Sequence, residues 1–391
     1  MAIKYMSAEQ LEGFDVYKYS CVDTSPLSKY VMHPFWNLTV KILPHWLAPN
    51  LMTFTGFLLL VVNFVVLSYY DFHFFASSDY NPDYLPVPGW VWLFCAFTNF
   101  FAHTLDGCDG KQARRTQSSS PLGELFDHGV DSWATSFLPI ALYSVYGRAD
   151  GGMIPLRTYF IIWSVQIVFI ASHWEKYITK VLFLPWGYDI SQVAMTVVYV
   201  ITFAKGYEFW KFSFHIGPVE VTVPGIVEVG VYTFSIGLSL SQTLWNIYKA
   251  YRDQTGKMLS FYEAMIPLLP VTMLLIFSTM WAFLSPTNIM ELQPRTFFFF
   301  TGTVFSNITC RLIVAQMAGT RAEMWNWLLV PVMVTVTTVV FVPSLYDWET
   351  YMLYALTAAV TLCHLHYGVF VVRQMAQHLG ISVFTIRKKE D

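Results

Sequence analysis

The stretch LDGCDGKQARRTQSSSPLGELFDHGVDSW (residues 105–133) carries aspartates in two pairs between strongly apolar regions. The members of one pair are three residues apart and those of the other are four apart, so each pair lies on one face of a helix. Carboxylates at the edge of a bilayer core are costly and usually face a cavity that holds their partners. Two such helices form an oxygen-rich site suited to a hard divalent cation. The sequence therefore predicts a metal site made by Asp106, Asp109, Asp127 and Asp131.

The composition of the chain is that of a membrane protein. Of its 391 residues, 55% are hydrophobic, 18% are aromatic and only 13% are charged, whereas a soluble domain carries roughly 25% charged residues. The formal net charge of −3 gives no sign of nucleic-acid binding. The five cysteines are odd in number and scattered, so they do not indicate a disulfide framework. We expect an all-α, polytopic integral membrane protein.

Apolar stretches long enough for a helix to cross a bilayer recur along the chain. We predict ten transmembrane helices, near residues 51–70, 88–107, 129–147, 155–173, 188–205, 222–247, 262–284, 297–317, 325–343 and 351–373. The fifth is interrupted by the sequence LPWGYD, and the sixth begins in a segment of marginal hydrophobicity.

The lysines and arginines orient these spans. With ten spans, both termini share one side, and that side holds most of the 23 lysines and arginines. The opposite side holds only Arg148, Arg157, Lys205, Lys211 and Arg295. Cytosolic loops carry such an excess of positive charge. We therefore expect both termini and the aspartate-bearing loop to be cytosolic.

A segment before the first span has its own pattern. Residues 33–50 (HPFWNLTVKILPHWLAPN) place apolar side chains at helical spacing, which predicts an amphipathic helix lying on the cytosolic leaflet. A helix packed against the cytosolic ends of the spans is the alternative. We expect a cytosolic N-terminal segment with this helix, a transmembrane core that carries the aspartates, additional transmembrane helices and a cytosolic tail, at residues 1–48, 49–205, 206–373 and 374–391.

The aspartates belong to a longer pattern with fixed spacing. It runs Asp106-x-x-Asp109-Gly110-x-x-Ala113-Arg114, continues after eight residues with Gly123, and ends with Asp127 and Asp131. The small residues let helices approach closely and leave room for a diphosphate. The planar guanidinium of Arg114 suits the same group. Every fixed position matches the signature of the CDP-alcohol phosphotransferase family, which this chain resembles.

The resemblance extends over nearly the whole chain. The stretches CVDTSPLSKYVMHPFW (21–36), LAPNLMTFTGFLL (47–59), HWEKY (173–177) and LPWGYDISQ (184–192) are similar to the eukaryotic choline/ethanolamine phosphotransferases. This resemblance implies transfer of a phosphoalcohol from a CDP-alcohol to the 3-hydroxyl of diacylglycerol, with release of CMP. Overall similarity favours CDP-ethanolamine as donor, which gives phosphatidylethanolamine. Use of CDP-choline, alone or besides CDP-ethanolamine, is the alternative.

The same resemblance implies cofactors, partners and location. Mg²⁺ or Mn²⁺ is expected between the aspartates and the diphosphate, as two ions. The expected partners are CDP-ethanolamine, diacylglycerol, the phospholipid bilayer and a second copy of the chain in a homodimer, without nucleic acid. The endoplasmic reticulum or Golgi membrane is the expected location. A cation-coupled transporter is a remote alternative, opposed by the clustering of the acids in one hairpin and by the lack of inverted repeats.

Two residues compete for the role of general base. An unperturbed histidine such as His128 titrates near neutrality, where a general base works best, whereas Asp131 is the usual candidate in the family. We favour His128 as the base, oriented by Glu124 one turn earlier, with Asp131 as a metal ligand. A His128 that merely bonds Asp127 or the backbone is the competing interpretation.

Further residues are candidates for binding the donor. We expect Asn50 and Lys111 on the nucleotide side, together with Gly110, Ala113, Arg114 and Gly123. A helix N-cap is the alternative role for Asn50, and a solvated side chain is the alternative for Lys111. A head-group pocket or solvated helix ends are the two interpretations for His173, Glu175, Lys176, Tyr188 and Asp189. Hydrogen bonding in the core is expected for His364 and His366.

Overall fold

The structure is a computed structural model that describes residues 4–78, 83–148 and 151–386. Most of these residues are helical, which confirms the predicted fold class. The helices are α1 (Ala8–Asp15), α2 (His33–Ile42), α3 (Pro49–Tyr70), α4 (Gly89–Arg115), α5 (Pro121–Tyr146), α6 (Pro155–Thr179), α7 (Gly187–Lys205), α8 (Val223–Tyr232), α9 (Ser241–Arg252), α10 (Phe261–Met265), α11 (Leu269–Leu284), α12 (Ile289–Leu292), α13 (Pro294–Ala318), α14 (Leu329–Phe341) and α15 (Glu349–His378). Residues 1–3 of the predicted N-terminal segment and 387–391 of the predicted tail lie outside the described residues.

Several of these helices run together into longer rods. A π-helical stretch, Thr233–Leu240, joins α8 to α9, and a 3₁₀ turn, Ile266–Leu268, joins α10 to α11. In the described part of the chain, seven helices are long and apolar enough to cross a membrane. Helices α4 and α5, which carry the motif, are not in that set, and α14 is shorter. The structure is therefore that of a polytopic helical membrane protein, while the count of ten spans stays a prediction.

Helix α13 lies at the centre of the bundle. In its most apolar window 89% of the residues are buried, and it packs along α5, α6 and α15. Gly302 permits the contact with α5, because a Cβ at that position would lie under 3.0 Å from the hydroxyl oxygen of Ser136. This close crossing fixes α5, which carries half of the aspartate motif, against the core. The division of the chain at residue 205, between the transmembrane core and the additional helices, stays a prediction.

Short strands occur in two places. β1 (Cys21–Val22) pairs in parallel with β2 (Leu182–Phe183), which joins the N-terminal segment to the connection between α6 and α7. β3 (Ser213–Ile216) and β4 (Val219–Thr222) form an antiparallel hairpin between α7 and α8. We call the residues 16–27, which follow α1 and contain β1, the N-terminal strap.

The predicted amphipathic helix is shorter than expected. It ends at Ile42, because Leu43 adopts an extended conformation before Pro44, and a π-helical turn precedes it. One face of α2 packs on α4, where Trp36 is buried against the backbone of Gly107. The other face exposes apolar side chains such as Ile42, which is 84% exposed. Both sequence interpretations are therefore compatible with α2, which packs on the helix ends and presents an apolar surface.

Both described ends of the chain lie at the end of the bundle that carries the motif. The hydroxyl of Tyr5, just before α1, bonds Nδ1 of His366 in α15 at 2.7 Å, and its backbone N–H donates to Gln374 at 3.0 Å. The ring of Phe384, after α15, contacts the rings of Phe54 and Phe126. This placement agrees with the prediction that both termini and the aspartate motif lie on the same side of the membrane.

Candidate active site

Three of the four motif aspartates converge between α4 and α5. Carboxylate oxygens of Asp106, Asp109 and Asp127 lie within 4.8 Å of one another. The two acids of α4 are one turn apart, and α5 starts close by because Ser120 accepts a hydrogen bond from the N–H of Gly123 at 3.2 Å. That cap and Pro121 at the first helical position turn the chain back towards α4. The local sequence therefore brings Asp127 opposite the α4 pair.

Neutral groups hold this cluster in place. Thr53 on α3 donates its hydroxyl to Oδ2 of Asp109 at 2.5 Å, and the backbone N–H of Gly110 donates to the other oxygen. Tyr188 at the start of α7 donates to Oδ2 of Asp106 at 2.7 Å. Two neighbouring helices, α3 and α7, and the backbone of α4 itself thus orient the carboxylates of α4.

The cluster fits a divalent cation. Among the described residues, Asp106, Asp109 and Asp127 form no ion pair with a lysine or arginine within 4.0 Å. Oδ1 of Asp127 is buried and has no hydrogen-bond partner there. Adjacent carboxylates that lack a counter-charge are strongly unfavourable in a protein interior. A hard cation bound by their oxygens satisfies all three.

Asp131 does not join the three-carboxylate set. It lies one turn further along α5 and lines a cleft between α3, α4, α5 and α7. Asp106 and His103 line the same cleft from α4, and Phe57 and Leu60 from α3 give it an apolar wall. The cleft therefore joins two carboxylates, Asp106 and Asp131, to an apolar wall formed by α3.

The basic residues at the end of α4 have different surroundings. Arg114 is exposed, and its guanidinium lies near Gly110, where a Cβ would be 3.7 Å from Nη1. Arg115 instead donates to the carbonyls of Val40 and Leu43 at 2.7 Å and holds the end of α2. Only Arg114 of the two is available to a diphosphate.

The remaining residues predicted on the nucleotide side lie around that arginine. Lys111 donates to Oδ1 of Asn37 at 2.9 Å and is partly exposed, and Ala113 is half-buried on the same helix. The N-cap of α3 is Ala48, so Asn50 does not have that role. Asn50 is buried, and a Cβ on Gly123 would lie 3.4 Å from its Oδ1. Gly123 and the Asn50 amide are thus direct neighbours at the start of α5.

His128 and Glu124 are not paired, contrary to expectation. Glu124 accepts hydrogen bonds from the hydroxyl of Tyr17 at 2.8 and 2.7 Å and forms an ion pair with Lys176. His128 is buried with Nε2 unpartnered among the described residues, and its ring lies 5.3 Å from that of His173. The idea that Glu124 orients His128 by a hydrogen bond is therefore not supported, because the Glu124 carboxylate is already engaged elsewhere.

One buried group near the cluster was missed from the sequence. His103 bonds Oδ1 of Asp189 through Nε2 at 2.8 Å, and Ser28 at the start of the π turn before α2 donates to the other oxygen. His103 lies three residues before Asp106, so it faces the same side of α4. That spacing was the available signal. The contact of Thr53 with Asp109 has no such signal in the sequence, because it depends on how α3 crosses α4.

The lesser candidates have mostly structural partners. His364 lies 3.2 Å from the hydroxyl of Ser306 in the core, and His366 bonds Tyr5, as expected for core hydrogen bonding. Glu175 accepts from Asn246 on α9 at 2.8 Å, away from the aspartates. His173 contacts Gln316 at 3.0 Å.

Known proteins resemble the chain along its whole length. Residues 46–224 match the CDP-alcohol phosphatidyltransferase family. The chain is 50% identical over 385 residues to ethanolaminephosphotransferase 1 of Homo sapiens, covering 98% of this chain and 95% of that protein. It is 32% identical over 408 residues to choline/ethanolaminephosphotransferase 1 of Arabidopsis thaliana, covering 99% of each. Similarity of this extent means that the protein belongs to the CDP-alcohol phosphatidyltransferase family.

Proposed function

We propose that the protein transfers phosphoethanolamine from CDP-ethanolamine to the 3-hydroxyl of diacylglycerol and so forms phosphatidylethanolamine and CMP. The observation that carries this proposal is the cluster of Asp106, Asp109 and Asp127 beside a partly apolar cleft. A water-soluble nucleotide and a membrane lipid have to meet at one place for this reaction. The 50% identity with the human ethanolaminephosphotransferase 1 supports ethanolamine as the head group.

The residues around the cluster have distinct tasks in this reaction. Asp106, Asp109 and Asp127 would hold Mg²⁺ or Mn²⁺, which neutralises the diphosphate and stabilises the leaving CMP. Arg114 grips the diphosphate from the exposed side with its planar fork. Asn50 and Gly123 form the wall beside it.

The acceptor hydroxyl needs a base, and we propose Asp131 for that role. Asp131 lines the cleft and lies outside the three-carboxylate cluster, so its oxygens remain available to a lipid hydroxyl. His128, which the sequence favours, faces His173 and the N-terminal strap instead. In the forward reaction, Asp131 takes the proton of the attacking hydroxyl while the bond from phosphorus to CMP breaks.

The orientation follows from the same chemistry. CDP-ethanolamine is a cytosolic nucleotide, so we propose that the motif and both termini face the cytosol of the endoplasmic reticulum or Golgi membrane. A homodimer and a pair of metal ions remain parts of the proposal that derive from the family resemblance. The transporter alternative has no support from the family to which the chain belongs.

The decisive assay is CMP release by the purified protein in mixed micelles. CMP should appear only when both CDP-ethanolamine and diacylglycerol are present, EDTA should abolish it, and Mg²⁺ or Mn²⁺ should restore it. Offering CDP-choline in competition measures donor preference, because some relatives carry a choline/ethanolamine name. Full activity in EDTA, or no CMP from CDP-ethanolamine, would refute the proposal.

A further inference from the structure

An ammonium group is enclosed next to the predicted active site. Nζ of Lys176, near the end of α6, forms an ion pair with Glu124 of α5. The same nitrogen lies 5.4 Å from the ring centroid of Tyr17 and 4.9 Å from that of Tyr19. A carboxylate and two aromatic rings are the groups that proteins use to bind an organic cation. We call Glu124, Tyr17 and Tyr19 the ammonium cage.

The cage is assembled from separate parts of the chain. Glu124 lies in the first turn of α5, while both tyrosines belong to the N-terminal strap, which β1 joins to β2. The hydroxyl of Tyr17 donates to both oxygens of Glu124 and fixes the carboxylate. Burial and the negative charge of Glu124 raise the pKa of Tyr17 well above its ordinary value. Tyr17 therefore remains a neutral donor at all physiological pH values.

The cage adjoins the carboxylate cluster. Glu124 precedes Asp127 by three residues on α5, so the two side chains are neighbours on the helix surface. The ring of Tyr19 lies 6.4 Å from that of His128, which follows Asp127 directly. Along the axis of α5, Glu124 therefore lies roughly 4.5 Å from Asp127, and the cage adjoins the cluster on the side of α5 that faces the strap.

One wall of the cage faces outward. Lys176 is 4% exposed and Glu124 is buried, but Tyr19 is 52% exposed. A half-exposed ring can move aside without disrupting the core, and the Lys176 ammonium sits on a flexible four-carbon stem. The geometry therefore permits exchange of one ammonium for another.

We propose that Glu124, Tyr17 and Tyr19 receive the primary ammonium of the donor head group, and that Lys176 occupies their cage in the free enzyme and withdraws when the donor binds. This inference rests on the proposed function. A primary ammonium offers three N–H donors, as Lys176 does, whereas a trimethylammonium offers none. The cage therefore favours ethanolamine over choline through the hydrogen bond to Glu124.

The test separates head-group binding from nucleotide binding. The KM for CDP-ethanolamine and the inhibition constant of CMP, which lacks the head group, are measured for each variant. Tyr19→Leu should raise the KM roughly 2-fold to 30-fold, and Glu124→Gln roughly 10-fold to 100-fold, without changing inhibition by CMP. Tyr19→Phe, which keeps the ring, should recover most of the loss. Lys176→Met removes the internal competitor and should lower the KM.

Tyr30→Leu is the matched control, because Tyr30 is 70% exposed and also lies 5.4 Å from a lysine ammonium, that of Lys29. It should leave the KM unchanged. Two results would refute the proposal that the cage binds the donor ammonium. One is a Tyr19→Leu variant in which the ratio of the KM to the CMP inhibition constant is unchanged, and the other is a Lys176→Met variant with a raised KM. Tyr19→Leu alters a half-exposed side chain, so the test does not depend on folding of the Glu124 variant. A wild-type protein that uses no CDP-ethanolamine would instead refute the proposed function.

Discussion

Replacing Gly107 with alanine should destabilise the protein and reduce its activity, although alanine favours helices. A Cβ at Gly107 would lie under 3.0 Å from three atoms of the Trp36 indole. Carbon atoms pack at about 3.5–4.0 Å, so the ring would have to retreat by roughly 1.5–2 Å. Trp36 is only 5% exposed, so its ring is enclosed by neighbouring groups that would have to move with it.

The expected magnitude combines two opposing effects. Overpacking of a buried site costs up to about 3 kcal/mol, and replacing a helical glycine by alanine returns about 1 kcal/mol. The net loss of stability at Gly107 is thus about 2 kcal/mol. The matched control is Gly368→Ala in α15, where a Cβ would meet nothing within 4 Å. That variant should gain about 1 kcal/mol.

Thermal unfolding in detergent, with CMP release measured on the same samples, provides the assay. Gly107→Ala should unfold at a lower temperature than the wild type, and Gly368→Ala at the same temperature or a higher one. Gly107 stands between two carboxylates of the cluster in the sequence. If the clash shifts these carboxylates by about 1 Å, the rate of CMP release should also fall by up to 100-fold. In a Trp36→Ala background the Gly107 substitution should become stabilising, since the clash is gone. A Gly107→Ala protein that unfolds no earlier than the wild type would refute the packing argument.

Three more outcomes are expected. Arg114→Lys keeps the charge but loses the planar fork, so the KM for the donor should rise at least about 10-fold. The control Arg252→Lys, at an exposed arginine, should behave like the wild type. Equal KM values for the two variants would exclude Arg114 from the diphosphate site. Tyr188→Phe removes the hydroxyl that orients one carboxylate of the cluster, so it should raise the metal concentration needed for half-maximal activity about 10-fold, and an unchanged metal requirement would contradict this role. A cysteine at Ser119 should react with an impermeant reagent added from the cytosolic side and one at His215 should not; the reverse pattern would invert the proposed topology.

The helices themselves were largely predictable from the sequence. The predicted spans 155–173 and 188–205 fall inside α6 and α7, because an apolar run leaves the backbone no alternative to a helix in lipid. The first half of the interrupting sequence LPWGYD lies before α7, which begins at Gly187. The bounds were less accurate, since α6 continues to Thr179 as a buried, partly polar turn. The π-helical stretch in the sixth span has no sequence signature that we recognise.

The candidate site was predictable where its residues are close in sequence. The spacing within two pairs predicted a site of four aspartates on adjacent helices, and the structure brings together Asp106, Asp109 and Asp127. Asp131 lies one turn further along α5 and lines the neighbouring cleft. The contact of Ser28 with Asp189 joins residues 161 positions apart, and no local pattern indicates such a pair. The partners of Glu124 were not predictable for the same reason, because Tyr17 and Lys176 come from other elements.

The contacts of the first helix with the last have a consequence for synthesis. The partners of Tyr5 in α15 follow it by 361 and 369 residues along the chain. At about 5–20 residues per second, the ribosome produces them roughly 20–70 s after Tyr5. During that interval the strap can already pair with β2 and with Glu124, which are made earlier, while the residues just before α1 still lack their partners in α15. The N-terminal segment is therefore tied to the last helix only when synthesis is nearly complete, so the final closure of this end of the bundle is a late step in assembly.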